Sequence, residues 1–383
     1  LVSALGDIVY EGARSVIGPY LATFGASAAT VGVVTGIGEA VALVLRLGTG
    51  PLSDRTGRPW PQTIVGYALT MVCVPLLALA GGTTSAAMLY NGERFGKAVR
   101  SPSRDTMLAH ASAVVGVGRT FGLHEALDQC GALTGPLLIA AILALGGGYK
   151  LAFALLAVPG IVALIVLARL RAAAPDPSEF DPQAQVSDAK KLRLDSKLPA
   201  RFWLYSGFSA LTMLGFATWA VLAYHLVHRH VLSTATIPVL YSAAMAAAAL
   251  ASLAVGRLYD RAGFRGLVVI PVLAAAVPVL SFSTSIPAVV AGAVVWGAGM
   301  GVHDSTMRAA VTDLVPRSRR GAGYGTFTAI YGVAWLVGAA MIGALYDVSV
   351  TAIEVVVVAV QAAALVALVP LLRAGRGDAT RAA

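Results

Sequence analysis

Three sets of ionisable residues stand at helical spacing inside otherwise apolar sequence. Asp7, Glu11 and Arg14 fall at i, i+4 and i+7 and so share one helix face. Glu93, Lys97, Arg100 and Arg104 share another, with Arg94 beside them. His124 and Asp128 stand at i and i+4 next to Glu125, and Glu39 lies in an earlier apolar run. A charge in hydrocarbon is costly unless paired or hydrated, so each of these marks a place where charge is needed. Two chemistries fit. A carboxyl moving between apolar and hydrated surroundings changes its proton affinity by several units, which suits a proton carrier. Glu11 and Asp128 are the first candidates for that role, then Glu39 and Glu125, with Asp7 on the Glu11 face. The cations Lys97, Arg100 and Arg104 can instead hold a carboxylate or phosphate, or neutralise Glu39, Glu93 and Asp105. Acids and bases nearly balance here, which predicts a paired network; its structural reading is a set of ion pairs locking helices together.

The elements that position these residues must be membrane helices. Hydrophobic residues make up 57% of the 383-residue chain and charged residues 12%, about half the charge of an ordinary soluble domain. Apolar stretches at 4–25, 29–51, 62–82, 86–109, 118–145, 150–170, 202–227, 235–257, 266–283, 286–309, 321–345 and 351–372 each suffice for a helical span. No alternating barrel pattern competes with them. The net charge of +9 gathers in alternate links, at Arg55 and Arg58, Arg119, 171–201, Arg261 and Arg265, and Arg317, Arg319 and Arg320, with Arg373, Arg376 and Arg381 in the tail. That bias places both termini in the cytoplasm and reads as an orientation signal, not a nucleic-acid surface. Cys73 and Cys130 read as buried thiols. The chain opens mid-element at Leu1, so native residues are expected to precede it.

A repeat divides the chain. Gly50-Pro-Leu-Ser-Asp54-Arg55-Thr-Gly57-Arg58 closes the second span, and Gly256-Arg-Leu-Tyr-Asp260-Arg261-Ala-Gly263-Phe264-Arg265 closes the eighth, 206 positions later. Gly131 and Gly135 in span five match Ala334 and Gly338 in span eleven at a shift of 203. The polar segment 171–201 reads as a cytoplasmic linker between an N-terminal six-helix bundle, 1–170, and a C-terminal one, 202–383. Tandem parallel repeats of this kind occur in secondary transporters.

On these motifs the chain resembles the major facilitator superfamily over its whole length. The Gly-x-Leu-x-Asp-Arg-x-Gly-Arg signature of that family matches at Gly50, Leu52, Asp54, Arg55, Gly57 and Arg58. The second copy has Phe264 where the last Arg would stand. Gly131-Ala-Leu-Thr-Gly135-Pro136 resembles the antiporter signature, with Ile139-Ala140 in place of its final glycine pair. Arg94 stands near the family's span-four Arg. The resemblance implies an all-α fold of twelve transmembrane helices in two six-helix pseudo-symmetric bundles, with spans one, four, seven and ten around a central cavity. It implies a drug or metabolite exporter driven by protons through alternating access in a bacterial-type plasma membrane. On the charged faces of the first half, Arg14, Arg94, Lys97, Arg100 and His124 are candidates to bind the cargo.

The Asp-Arg-x-Gly turns predict a cytoplasmic gate of Gly50, Asp54, Arg55, Gly57, Arg58, Asp260 and Arg261, with Arg104 as an ion-pair partner for Asp54. Gly50 is expected to allow close helix packing and Gly57 a tight turn, and Pro102 to kink span four. In the second half Trp219, Tyr224 and His225, then His303 and Asp304, then Tyr331 and Trp335 are candidates to line the cargo cavity. An alternative cargo is an anionic metabolite or a metal complex, since Gly96-Lys97-x-x-Arg100-x-Pro102-x-Arg104-Asp105 resembles an iron-linked branch of the same superfamily. The expected partners are a small-molecule substrate and the lipid bilayer, with no nucleic acid, for a monomer. No nucleophile–base set or metal-ligand spacing predicts an enzyme, a metal site or a cofactor; protons are the expected coupling ion.

Overall fold

The computed structural model describes residues 1–56, 58–177, 198–316 and 319–379. Among them every regular element is helical. The first half holds α1 (Val2–Ala22), α2 (Ala28–Val44), α3 (Arg46–Thr56), α4 (Pro59–Leu76), α5 (Thr83–Val115), α6 (Val117–Ala144), α7 (Gly148–Leu155) and α8 (Ala157–Ala173). The second holds α9 (Ala200–Leu214), α10 (Trp219–His228), α11 (Thr236–Ala262), α12 (Val269–Ser281), α13 (Ile286–Leu314), α14 (Arg320–Val348) and α15 (Val350–Ala379). The expected linker lies mostly outside the described residues.

All twelve expected spans are present, and three are broken. Span two tightens at Leu45, between α2 and α3. Span six breaks at Leu156, because Pro159 has no N–H to return to the preceding turn. Span seven opens over Gly215–Thr218, and its freed carbonyls find side-chain donors. Trp296 Nε1 donates to the Ala217 oxygen at 2.7 Å and Gln361 Nε2 to the Thr212 oxygen at 2.9 Å. Irregular backbone is tolerated at membrane depth only where protein groups satisfy it in this way. Pro102 lies inside α5 without interrupting its helical run.

Among the described residues, ten helical runs are long and apolar enough to cross a bilayer. α1 and α5 are not among them, and they are the two that carry the charged faces predicted from spacing. Elsewhere apolar side chains face outward: Val158, Ile161, Val162 and Ile165 of α8 are all exposed. Such a surface would drive aggregation in water and suits contact with lipid.

The described residues form two compact units. One comprises residues 1–25, 41–192 and 234–242; the other comprises 26–40, 193–233 and 243–383. Their internal packing repeats. In the first, α1 packs on α6 and α8, and α4 on α5; in the second, α9 packs on α14 and α15, and α12 on α13. Two helices are shared out between units. The stretch of α2 up to Ala40 belongs to the second, where the Cα of Gly32 rides on the Ala339 carbonyl of α14 with no room for a Cβ. The first turns of α11, up to Ser242, belong to the first unit.

Candidate functional site

In the first unit the two charged faces meet around one tyrosine. Tyr10 lies on α1 among the expected charges and is buried. The Arg94 guanidinium carbon is 4.3 Å from its ring centroid and the Lys97 ammonium 3.9 Å. Arg14 Nη1 donates to the Tyr10 hydroxyl at 3.1 Å. Arg94 also reaches the Tyr90 ring at 5.0 Å and pairs with Glu93 at 3.0 Å. Arg100, fully enclosed, stands 4.7 Å over the Tyr67 ring and donates to Thr70 Oγ1. Aromatic faces thus hold α5 cations that spacing had assigned to carboxylates or to an anion. Such contacts contribute roughly 0.5–2 kcal/mol each, less than the cost of a buried charge left without them.

Glu11 is buried and takes two partners. Arg14 Nη1 lies 3.8 Å from one carboxylate oxygen, and Tyr241 of α11 donates its hydroxyl to the other. Asp128 lies at the head of a second group: His124 Nε2 stands 3.4 Å away, Arg104 Nη1 3.9 Å away, and Arg104 also binds Asp105 at 2.9 Å. Arg104 further donates to Ser3 Oγ at 3.2 Å, tying α5 to α1. Asp7, half-buried, lies within electrostatic reach of Asp128, Lys97, Glu11 and Arg100, and so links the two groups.

Glu125 and Glu39 are the other acids expected alongside Glu11 and Asp128, and Glu125 lies within electrostatic reach of His124. Glu125 is exposed and accepts a hydrogen bond from Gln129 at 3.0 Å on its own helix. Glu39 is buried in the α2 stretch that belongs to the second unit. In the gate, Arg55, Arg58 and Arg261 are exposed, Gly57 lies outside the described residues, and the side chains of Asp54 and Asp260 are likewise not described. No described atom lies within 4 Å of a Cβ built on Gly50, so the close packing expected there is absent. The close approach belongs instead to Gly131 and Gly135, whose missing Cβ atoms let α6 press against the Ala4 and Ile8 carbonyls of α1. The motif read as an export signature thereby has a packing role.

In the second unit the candidates separate into two aromatic groups. Phe216, on the broken stretch of span seven, contacts the Trp296 ring at 6.2 Å and the His303 ring at 5.5 Å. Trp219 adds to Trp296 at 5.3 Å, Tyr331 to His303 at 5.7 Å, and Trp335 to Tyr331 at 5.9 Å. All are buried. His225 and Tyr224 sit elsewhere, against Tyr346: His225 Nδ1 and the Tyr346 hydroxyl are 2.9 Å apart, and the Tyr224 and Tyr346 rings meet edge-on. Asp304 is exposed. An apolar groove of about 530 Å³ on α9, α14 and α15 touches none of the expected site residues.

His303 Nε2 is buried and no described group bonds it. A buried polar atom without a partner costs about 1–3 kcal/mol. His303→Leu is therefore expected to raise the thermal midpoint of the purified protein, by the equivalent of about 1 kcal/mol or more. Thermal unfolding in detergent checks it; a lowered midpoint means that the imidazole is a structural donor in the fold.

Comparison with known proteins follows the same lines. The family model described as Major Facilitator Superfamily matches residues 2–231 and 204–382. Uncharacterized proteins of Mycobacterium tuberculosis and Mycobacterium bovis are each 49% identical over 367 residues, covering 96% of this chain and 90% of theirs. An uncharacterized MFS-type transporter of Methanocaldococcus jannaschii is 26% identical over 166 residues, 43% of this chain and 42% of that one. Among solved structures, a mutant of the nucleoside transporter NupG superposes with a TM-score of 0.74 at 12% identity, covering 97% of both chains. A bacterial homologue of the human lysosomal transporter Spinster, inward-facing and unoccupied, gives 0.70 at 15% identity over 96% of this chain and 93% of that one. At such identities these structures speak for the fold alone.

Proposed function

Because this chain belongs to the major facilitator superfamily and is a multi-pass membrane transporter of that fold, we propose that it is a proton-coupled exporter of small organic, amphipathic molecules working by alternating access. The observation that carries this reading is Glu11: a carboxylate buried at mid-helix, held by Arg14 and Tyr241 rather than sealed into a close, fully neutralised pair. Its one cation stands off and its close partner is a neutral hydroxyl, so no ion pair cancels the charge outright, and a buried carboxyl in such a setting suits a proton carrier. Asp128, between His124 and Arg104, is the second proton site. Protons are the coupling ion and no further cofactor is needed. The protein works as a monomer in a bacterial-type plasma membrane with both termini in the cytoplasm, and the Asp54 and Asp260 turns gate it.

A second reading is favoured by Lys97, whose half-buried ammonium rests on an aromatic face. There the cargo is an anionic metabolite or metal complex, and its anionic group displaces the Tyr10 ring as the partner of Lys97, with Arg100 behind it.

The test is a thermal-shift screen of the purified protein against amphipathic amines, neutral drugs and organic anions. It is run at about pH 5.5 and about pH 7.5, between which a carboxyl raised moderately by its surroundings changes charge. The exporter reading expects hits among amphipathic compounds whose affinity changes between the two conditions and loses that dependence in Glu11→Gln. Hits confined to anions and lost in Lys97→Ala favour the second reading. Affinities that ignore pH for every hit overturn proton coupling.

A further inference from the structure

The hydroxyl of Tyr241 reaches Glu11 from a residue 230 positions away in sequence. Tyr241 is fully buried, and the next residue, Ser242, donates to the Leu133 carbonyl of α6 at 3.1 Å. Two successive side chains therefore tie the start of α11 to α1 and α6 inside the first unit. Beyond Ser242, α11 belongs to the second unit, where the Ala244 and Ala248 carbonyls lie against Gly297 and Gly301 of α13 with no space for a Cβ. One helix is thus bonded to the acid at one end and packed tightly by backbone at the other.

We propose that Tyr241 is a positioning residue for proton exchange at Glu11, holding the carboxylate ionised and releasing the start of α11 when Glu11 takes a proton. The inference rests on the reading of Glu11 as a proton site. A phenol hydroxyl can only donate to a carboxylate, and a bond to an ionised acceptor is about twice as strong as a neutral one. Protonation turns the strong bond into a weak one, and the hold on α11 weakens with it. Removing the donor removes a contact that favours the ionised form, and that is what Tyr241→Phe tests.

The groups around Glu11 leave this role to Tyr241. From α1 itself come Arg14, Tyr10 and Asp7; from α5, Arg94 and Lys97 rest on the Tyr10 ring; from α4 comes Tyr67, against Gly6. Asp128 of α6 reaches Asp7, with His124 beyond it, and α8 carries no acid or histidine. Arg14 supports the ionised form but stands 3.8 Å off and is shared with the Tyr10 hydroxyl. Tyr241 is the contact on Glu11 that comes from α11, and so the one through which a proton on α1 changes the hold on that helix.

The experiment follows the carboxylic acid C=O stretch by infrared difference spectroscopy on detergent-purified protein across pH, without cargo. Glu11→Gln identifies the Glu11 component by removing it. In Tyr241→Phe that component is expected to persist with its midpoint raised by about one pH unit, the shift expected when a hydrogen bond to a charged group is lost. A midpoint that stays in place in Tyr241→Phe overturns the inference while leaving Glu11 a proton site. A spectrum in which Glu11→Gln removes no titrating component overturns the proton-site reading itself, and the inference with it. Should Tyr241→Phe not yield folded protein, backbone hydrogen exchange of residues 236–242 supplies the answer in a chain with Tyr241 intact. Exchange there is expected to quicken several-fold in Glu11→Gln relative to the parent, while 243–255 is unchanged. Equal rates in both proteins overturn the release of α11.

Discussion

Glu11→Gln is expected to abolish proton-driven transport while leaving cargo exchange across the membrane within a few-fold of the parent. Glutamine keeps the size of the side chain and an amide oxygen that can still accept from the Tyr241 hydroxyl, so the fold around α1 survives. What it cannot do is take up and give back a proton. Moving one charge through the membrane potential supplies about 2.3 kcal/mol per 100 mV. That corresponds to roughly a 50-fold cargo gradient for each coupled proton, and this gradient is what the variant loses. Exchange needs only the alternation of the empty and loaded carrier, with no net proton movement, and so continues.

Proteoliposomes with an imposed pH gradient and potential, loaded with a compound from the two-pH screen, separate the two activities. Asp128→Asn is the companion measurement. It leaves Arg104 with Asp105 and Ser3 as partners, so the helix contact is kept while the second proton site is removed. Loss of accumulation in Glu11→Gln alone makes Glu11 the coupling site and Asp128 a structural anchor. Full accumulation in both variants places coupling elsewhere and ends the assignment.

The charged faces of α1 and α5 were legible because helical spacing alone puts Asp7, Glu11 and Arg14, or Lys97, Arg100 and Arg104, on one side of a cylinder. The repeat was legible because glycines and a charged turn leave marks that drift slowly in an apolar background. Spacing names a face, however, and not what the face meets. Tyr10, Tyr67 and Tyr90 were missed as cation partners because a tyrosine in an apolar run looks like any other core residue until a guanidinium lies over it. Tyr241 was missed because its tie to Glu11 depends on how α11 docks, which no local pattern encodes. Glu125 was grouped with Asp128, three positions on; about 60° of rotation separates such residues, and Glu125 is the more exposed of the two. Glu39 was counted with the first-half acids because it lies there in sequence. Which unit a stretch of helix joins is decided by packing, here by Gly32 and Gly36 against Ala339 and Leu336 of α14. The break at Gly215–Thr218 was hidden in a long, mostly apolar stretch, and the Trp296 and Gln361 donors explain how it is tolerated.

Gly135→Ala and Gly338→Ala are expected to destabilise the protein by about 1–3 kcal/mol each, the usual cost of forcing an added methyl into a packed contact. The two positions are related by the shift of 203 that relates the halves. A Cβ on Gly135 would fall on the backbone of Ile8 in α1, and a Cβ on Gly338 on the backbone of Leu214 in α9. In both cases the obstacle is a carbonyl group held in its own helix, so no side chain can swing aside and the two helices must part. Small residues at such crossings are what allow membrane helices to attract each other by van der Waals contact, and separating them weakens the whole seam. Gly50→Ala is the control. It lies in α3 with no described atom within 4 Å of the added methyl, and alanine there gains about 0.5–1 kcal/mol of helix stability over glycine. Thermal unfolding in detergent should therefore move in opposite directions: down for the two packing glycines by similar amounts, up slightly for Gly50. A lowered midpoint for Gly135→Ala with no change for Gly338→Ala would mean that the repeat survives in sequence but has been lost at the α9–α14 seam. Similar losses at both would mean that both halves still depend on the same backbone crossing.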